Sequence, residues 1–241
     1  MTSKAKQSAK QRRQKVEEMR RQQRSAERRK TLLFIGIAVV LGLGLIAAAA
    51  VPVVMKSLND PTDKAVSSFG VAAGQAGCGE VLTDKASGSG IHVGPNTDKP
   101  GETTVDYATV PPSFGKHYAV WAPFERHFYT EKDRPRIENL VHNLEHGYTV
   151  VWYDSTVKGE QLAALEGLAD KIPSDPKSGK FIVSAWDDSY GDLPQGMHVG
   201  MSHWTASDGG KRLLCGKVSG EAIADFVQQF PQTDAPEPQG G

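Results

Sequence analysis

The stretch Val141–Gly147, V-H-N-L-E-H-G, places two histidines four residues apart beside a carboxylate and then reaches a glycine. Apolar residues recur around it at i, i+3, i+4 and i+7, which is the spacing of one face of a helix. Asp133 is suited to cap the start of such a helix, Pro135 fits its first turn, and Gly147 suits a left-handed end. The pattern predicts a helix over about residues 134–146, with an apolar stripe formed by Ile137, Leu140, Val141 and Leu144.

The two histidines lie on the other side of this predicted helix. At 100° per residue, His142 and His146 share a face roughly opposite the apolar stripe, with Glu145 to one side. If the stripe packs on the core, the histidines must be solvated, covered by another segment or bound to a ligand.

Downstream of Gly147 the hydrophobic period changes from that of a helix to that of strands. A β run at 148–153, an amphipathic helix at about 160–172 and a strand at 181–186 form a βαβ unit, whose two strands should be parallel. Strands at 197–204 and 212–218 and a helix at 222–230 follow. The predicted fold class is α/β, a small mixed-sheet domain with a βαβ unit and a C-terminal helix.

The N-terminal part of the chain differs in charge from the rest. Residues 1–30 carry 12 Lys and Arg against 3 Asp and Glu, which leaves 16 against 25 for residues 31–241. Leu32–Met55 contains no charged residue and would span about 36 Å as a helix, enough to cross a hydrocarbon core of about 30 Å. The sequence therefore predicts that one transmembrane helix precedes the domain, and a cleaved signal peptide is the alternative.

The predicted localisation is the cell membrane, with a single span, a cytoplasmic N-terminus and an extracytoplasmic C-terminal domain, because basic residues flank the N-terminal end of the apolar run. The basic arm would contact anionic lipid. Nucleic acid is not an expected partner, because the arm has no interleaved aromatic residues. An extracytoplasmic protein is a further candidate partner.

The predicted organisation is a basic arm (1–30), a transmembrane helix (31–55), a linker and extended segment (56–100), the α/β domain (101–230) and a disordered tail (231–241).

The chain has two cysteines, Cys78 and Cys215. Both lie outside the membrane on this topology, and an oxidising exterior favours a disulfide between them. A pair of redox or metal-binding thiols is the alternative, although no C-x-x-C spacing exists.

Two motifs resemble those of a known family. They are Y-x3-P-P-x-x-G-x-H-Y at Tyr107–Tyr118 and V-H-N-L-E-H-G-Y at Val141–Tyr148. Over about residues 70–230 the chain is similar to an uncharacterised, largely actinobacterial family of single-span membrane proteins with an extracytoplasmic domain of unknown function. Phe114 departs from the small residue common there. The resemblance implies an architecture and a candidate site, but no activity. The histidines it marks are His92, His117, His142 and His146.

Imidazole is the commonest metal ligand in proteins, and two histidines at i and i+4 can converge on one ion. His142 and His146 form such a pair, and His117 and His92 come from extended segments that could cover their face. These four residues predict a site for zinc or copper. Met197, Met201 and His203 share one face of a predicted strand and would suit copper, but methionine is also a common core filler.

Two further function classes stay open. His142, Glu145 and His146 match H-x-x-E-H, in which the histidines hold zinc and the glutamate, here Glu145, acts as general base of a hydrolase. In the third class no metal is bound. The histidines then form a buried hydrogen-bond network in a structural or partner-binding domain.

Overall fold

The computed structural model describes residues 64–240, apart from 176 and 178, together with scattered positions between 15 and 48. The chain divides into two compact units, Met1–Asp60 and Pro61–Gly241. The second unit contains the sheet, the histidines and both cysteines.

The second unit is built on a mixed six-stranded sheet of order β1-β8-β7-β5-β6-β4, with a separate parallel pair formed by β2 and β3. Strands β5 and β6 are parallel neighbours, with Thr149 opposite Phe181, whereas β7 runs antiparallel to both β5 and β8. The strands are β1 Leu82–Asp84, β2 His92–Val93, β3 His117–Tyr118, β4 Phe128–Tyr129, β5 Thr149–Tyr153, β6 Phe181–Ala185, β7 Val199–Thr205 and β8 Gly209–Cys215.

Three helices cover the two faces of the sheet: α1 (Ile137–Glu145), α2 (Glu160–Lys171) and α3 (Gly220–Gln229). Successive residues of a strand point to opposite faces. Accordingly, Val151 packs in a core with α2 and α3, while Val150 and Trp152 pack in a second core with the apolar stripe of α1. All five residues of β5 are buried, which explains why its sequence is a continuous apolar and aromatic run.

The predicted mixed sheet and βαβ unit are confirmed. The helix predicted at 134–146 is shorter, because Asp133 accepts hydrogen bonds from the backbone and hydroxyl of Thr130 in a preceding turn and is not a helix cap. The strands predicted at 197–204 and 212–218 are displaced into a tight hairpin, in which Thr205 pairs with Gly209.

The transmembrane part of the predicted fold class is corrected. Within the described residues, no helix has both the length and the apolar character that a bilayer crossing requires. Most of the segment 31–55 and most of the basic arm lie outside the described residues.

Two predicted segments that flank the α/β domain contact it in the structure. The linker and extended segment placed at 56–100 supplies two strands, since β1 forms an edge of the main sheet and β2 pairs with β3. The tail placed at 231–241 was predicted to be disordered, yet Ala235 is buried and Asp234 accepts a hydrogen bond from the amide of Ala206 in the β7–β8 turn. Both segments are held by backbone hydrogen bonds to distant elements. Such bonds require no hydrophobic period, so the sequence of these segments did not predict them.

Candidate metal centre

Helix α1 is buried on nearly every side. Its apolar stripe faces the sheet, and His142 (3% exposed), Glu145 (0%) and His146 (5%) are covered as well. The helix ends at Gly147, whose φ of 90° is the left-handed value that glycine adopts without strain. The two histidines on the face opposite the stripe are therefore covered by another part of the chain.

The covering segment is the extended chain at 117–122. The side-chain amide of Asn143 donates to the carbonyl of Ala122 at 3.0 Å and accepts from its amide at 2.9 Å. Asn139 donates to the carbonyl of Val120, one turn earlier in the helix. These polar contacts hold the segment 117–122 against α1.

Strand pairing adds the remaining histidines. In the parallel register of β2 and β3, His92 lies directly opposite His117. The ring centres of His92 and His117 are 5.0 Å apart, and those of His117 and His142 are 4.7 Å apart. A two-residue strand pair thus brings two imidazoles to the outward face of α1.

Four side chains form what we call the His/Glu cluster: His92, His117, His142 and Glu145. One ligand atom from each lies within 4.8 Å of the corresponding atom of every other. Ligand atoms on a tetrahedral zinc ion are about 3.3 Å apart, given bonds of about 2.0–2.1 Å. The cluster could therefore hold a metal ion after a small contraction, with three buried donors and one exposed donor, His92.

Backbone carbonyls determine which ring nitrogens are free in three of the histidines. A carbonyl oxygen only accepts, so Nδ1 donates from His117 to Gly115 (2.8 Å), from His142 to Tyr118 (2.6 Å) and from His146 to Glu237 (3.0 Å). In each neutral ring the proton is on Nδ1 and the lone pair is on Nε2. Protein metal sites commonly hold their histidine ligands in this way.

The free nitrogens face groups that cannot donate to them. Nε2 of His142 lies 2.8 Å from Nε2 of His146, so two lone pairs face each other. Nε2 of His117 lies 3.0 Å from Oε2 of Glu145, both fully buried. This pair is close enough for an ion pair but is not aligned as a hydrogen bond, and neither atom has another hydrogen-bond partner in the described part of the chain. Each contact requires an extra proton or a cation.

The two titratable groups of α1 with clear shifts are held in metal-binding forms. Burial would raise the pKa of Glu145, but the positive charge that the His117 ring carries when protonated, the hydroxyl of Ser89 and the amide of Gly90 lower it to about 2. Burial lowers the pKa of His142 to about 4, helped by the charges of neighbouring histidines. At neutral pH the cluster therefore offers a carboxylate and a neutral imidazole, the forms that ligate metals.

The structure separates His146 from the other predicted ligands. It contacts His142 through Nε2, but it does not belong to the His/Glu cluster, where Glu145 takes its place. Trp121 covers this histidine pair edge-on, with ring centres 5.2 Å from His142 and 5.4 Å from His146, and is 36% exposed.

The solvent side of the cluster is at His92. A cavity of about 450 Å³ opens beside it, lined by Gly90, Ile91, His92, Ala119 and the turn 96–99. Access to the cluster is therefore from the β2 side, away from the core.

The methionine-containing strand takes no part in this cluster. Met201 is 1% exposed and packs in the core between the sheet and α2 and α3, and His203 is buried against Thr149 and Phe230. Within the described residues, His203 does not belong to a group of His, Cys, Asp and Glu side chains that could hold a metal.

The sequence did not identify the groups that orient the site: Ser89 and Gly90 on Glu145, and the carbonyls of Gly115, Tyr118 and Glu237. Most of these contacts use the backbone, which carries no residue-specific signal. Glu145 was considered as a base, but its membership in the cluster was missed.

The expected disulfide between Cys78 and Cys215 is present, and the structure describes no free cysteine. It joins the segment before β1 to the end of β8 across 137 residues. A thiol-based metal or redox site is therefore not formed by these residues.

Comparison with known proteins identifies a family but no activity. The sequence model of a family described as protein of unknown function (DUF3105) matches residues 99–241. A second model, described as an inhibitor of host cell division protein domain, matches residues 10–65, most of which lie outside the described part of the chain. No curated protein and no solved structure matches.

Proposed function

Because the chain belongs to the DUF3105 family, whose function is unknown, we propose from the site alone that it binds a transition-metal ion through the His/Glu cluster. The observation that carries the proposal is the convergence of acceptors. Ligand atoms of the buried residues His117, His142 and Glu145 lie within 4.8 Å of one another, and no described side chain donates to the Nε2 of His117 or the Oε2 of Glu145.

A metal ion resolves these contacts more completely than added protons do. One proton would turn the contact between His117 and Glu145 into a buried ion pair, whose desolvation offsets most of its attraction. The facing rings of His142 and His146 would need a second proton nearby. A single divalent cation neutralises the carboxylate and occupies several lone pairs at once.

The donor set favours zinc or copper(II). Imidazole nitrogen with one carboxylate oxygen suits both ions, whereas oxygen-rich sites are typical of magnesium and calcium. The site is less suited to copper(I), which prefers soft sulfur ligands, because the thioether of Met201 packs in the core.

The hydrolase alternative is weaker on this geometry. A general base must reach a metal-bound water. Here Oε1 of Glu145 accepts from Ser89 at 2.8 Å and from the amide of Gly90 at 2.6 Å, and Oε2 faces His117. Both oxygens are engaged as they would be in a metal ligand or in a group that orients one.

We also propose that the domain works in an oxidising compartment outside the cytoplasm. The support is the disulfide between Cys78 and Cys215, since such bonds persist in secreted and periplasmic proteins and are rare in the reducing cytosol.

The test is elemental analysis of the full chain, purified without a His-tag and with the disulfide intact. The wild type should contain zinc or copper at close to one ion per chain, and His117→Gln and His142→Gln should lose most of it. His198→Gln is the matched control, because His198 is bonded to Asp154 outside the cluster and should leave the metal content unchanged.

The contrary result is a wild-type protein that takes up neither ion after incubation with Zn²⁺ and Cu²⁺. The histidines would then form a protonated hydrogen-bond network, and His117→Gln would lower the melting temperature without any metal being involved.

A further inference from the structure

The C-terminal segment Gln232–Gly240, which we call the C-terminal strap, ends against the outer side of His146. The carbonyl of Glu237 accepts from Nδ1 of His146, and the amide of Glu237 donates to the carbonyl of Glu145 at 2.9 Å. Gly240 lies so close to the imidazole that a side chain there would overlap it. Glu237 thus contacts two consecutive residues at the end of α1.

Lys180, which precedes β6, fastens the strap. Its ammonium donates to the carbonyls of Pro238 at 3.0 Å and Gly240 at 2.6 Å, and also to the carbonyl of His146 at 2.8 Å. One half-buried cation therefore links the strap to the last turn of the metal-binding helix. These three carbonyls would otherwise lose part of their contact with water without a partner in return.

The passage of the strap requires a glycine in the helix end. A side chain at Gly147 would overlap the carbonyl of Gln232, so the residue that terminates α1 also leaves space for the strap. The strap is therefore integrated with the helix terminus and is not simply laid on the surface.

The contact between Glu237 and His146 repeats the arrangement found at His117 and His142. Gly115 and Tyr118 supply carbonyls that hold His117 and His142 with Nε2 free, and Glu237 supplies the third. The tautomer of His146 that this carbonyl selects is the one that a metal ion at Nε2 requires. Binding of the strap and binding of a metal therefore favour the same state of one ring.

We infer that the C-terminal strap is part of the metal site: Glu237 and Lys180 are positioning residues that hold Nε2 of His146 against Nε2 of His142, a member of the His/Glu cluster, so strap docking and metal occupancy are coupled. This inference rests on the proposed metal-binding function. Coupling of this kind is reciprocal, so the metal should also hold the strap in place.

The first test measures zinc affinity of the full, oxidised chain by competition with a chromophoric chelator. Lys180→Met and a chain ending at Pro236, which keeps the buried Ala235, should bind Zn²⁺ tenfold to a hundredfold more weakly, about the effect of removing outer-shell partners. Lys180→Arg should recover part of the affinity. Lys158→Met removes an exposed lysine before α2 and should bind like the wild type.

The second test measures hydrogen exchange at the amide of Glu237, which a merely structural strap would not couple to the metal. Zn²⁺ should slow this exchange in the wild type and should have no effect in His146→Ala.

The outcomes separate the two proposals. If the wild type binds Zn²⁺ and both strap variants bind it with the same Kd, the strap inference is wrong and the metal function stands. The coupling would also be overturned if the strap variants bind Zn²⁺ more weakly but Zn²⁺ does not change the hydrogen-exchange rate of the Glu237 amide in the wild type. A wild type that binds no Zn²⁺ and no Cu²⁺ removes the proposed function, and the inference with it.

Discussion

His203 should make the protein less stable as the pH falls below 6.5. The side chain is 0% exposed, and burial lowers its pKa to about 4 from an ordinary value of 6.5. A backbone hydrogen bond at Tyr148 favours the imidazolium, but burial outweighs it, and Nε2 of His203 has no hydrogen-bond partner among the described residues.

The sign and size follow from proton linkage. A histidine whose pKa is lower in the folded state binds its proton more readily when unfolded, so its cost is absent above pH 6.5 and grows as the pH falls towards 4. With these two pKa values, the free energy of unfolding should fall by about 1.4 kcal/mol at pH 5.5 and about 2.5 kcal/mol at pH 4.5, relative to pH 7.5.

The assay is urea unfolding at pH 7.5, 6.5, 5.5 and 4.5, in chelator and with the disulfide intact, for the wild type and His203→Leu. His142 also has a lowered pKa, but it is present in both proteins and cancels in the comparison. The leucine variant should lack the loss calculated for His203. If the two proteins lose stability in parallel across this range, burial of His203 does not control the pH dependence.

Three other substitutions test the framework. Cys215→Ser opens a loop of 137 residues and should lower the free energy of unfolding by about 4 kcal/mol, measured by urea unfolding. As a control, reduction of the disulfide in the wild type should lower the free energy of unfolding by the same amount. Gly147→Ala, with φ 90° and the carbonyl of Gln232 in its path, should cost more than about 1 kcal/mol, and an unchanged melting temperature would contradict it. Asp84→Asn removes the charge that accepts two hydrogen bonds from the largely buried Arg212, and it should lower the free energy of unfolding by about 3 kcal/mol, measured by calorimetry. No change would show that solvent screens this pair.

Prediction from the sequence succeeded where the signal is local. The apolar period of α1 and the β runs at β5 and β6 depend on residues within one element, so both elements and their order were predictable. Element ends were less accurate, because competing local bonds, such as those of Asp133 with Thr130, decide where a helix starts.

Prediction failed where partners are distant or use the backbone. The linker and the tail lack any period, yet β1 pairs with β8 and Glu237 contacts the end of α1. The apolar run at 31–55 lies mostly outside the described residues, and no described helix is long and apolar enough to cross a membrane.

The sequence by itself determined the α/β class, the cysteine pair and the residue types of the site, because hydrophobic period and side-chain chemistry are properties of the chain alone. Only the tertiary structure decided which donors converge. The parallel register of β2 and β3 sets His92 against His117, the fold brings Glu145 into the cluster in place of His146, and the strap fixes the His146 ring. Such contacts join residues up to 91 positions apart through backbone atoms, and no local pattern of side chains encodes them.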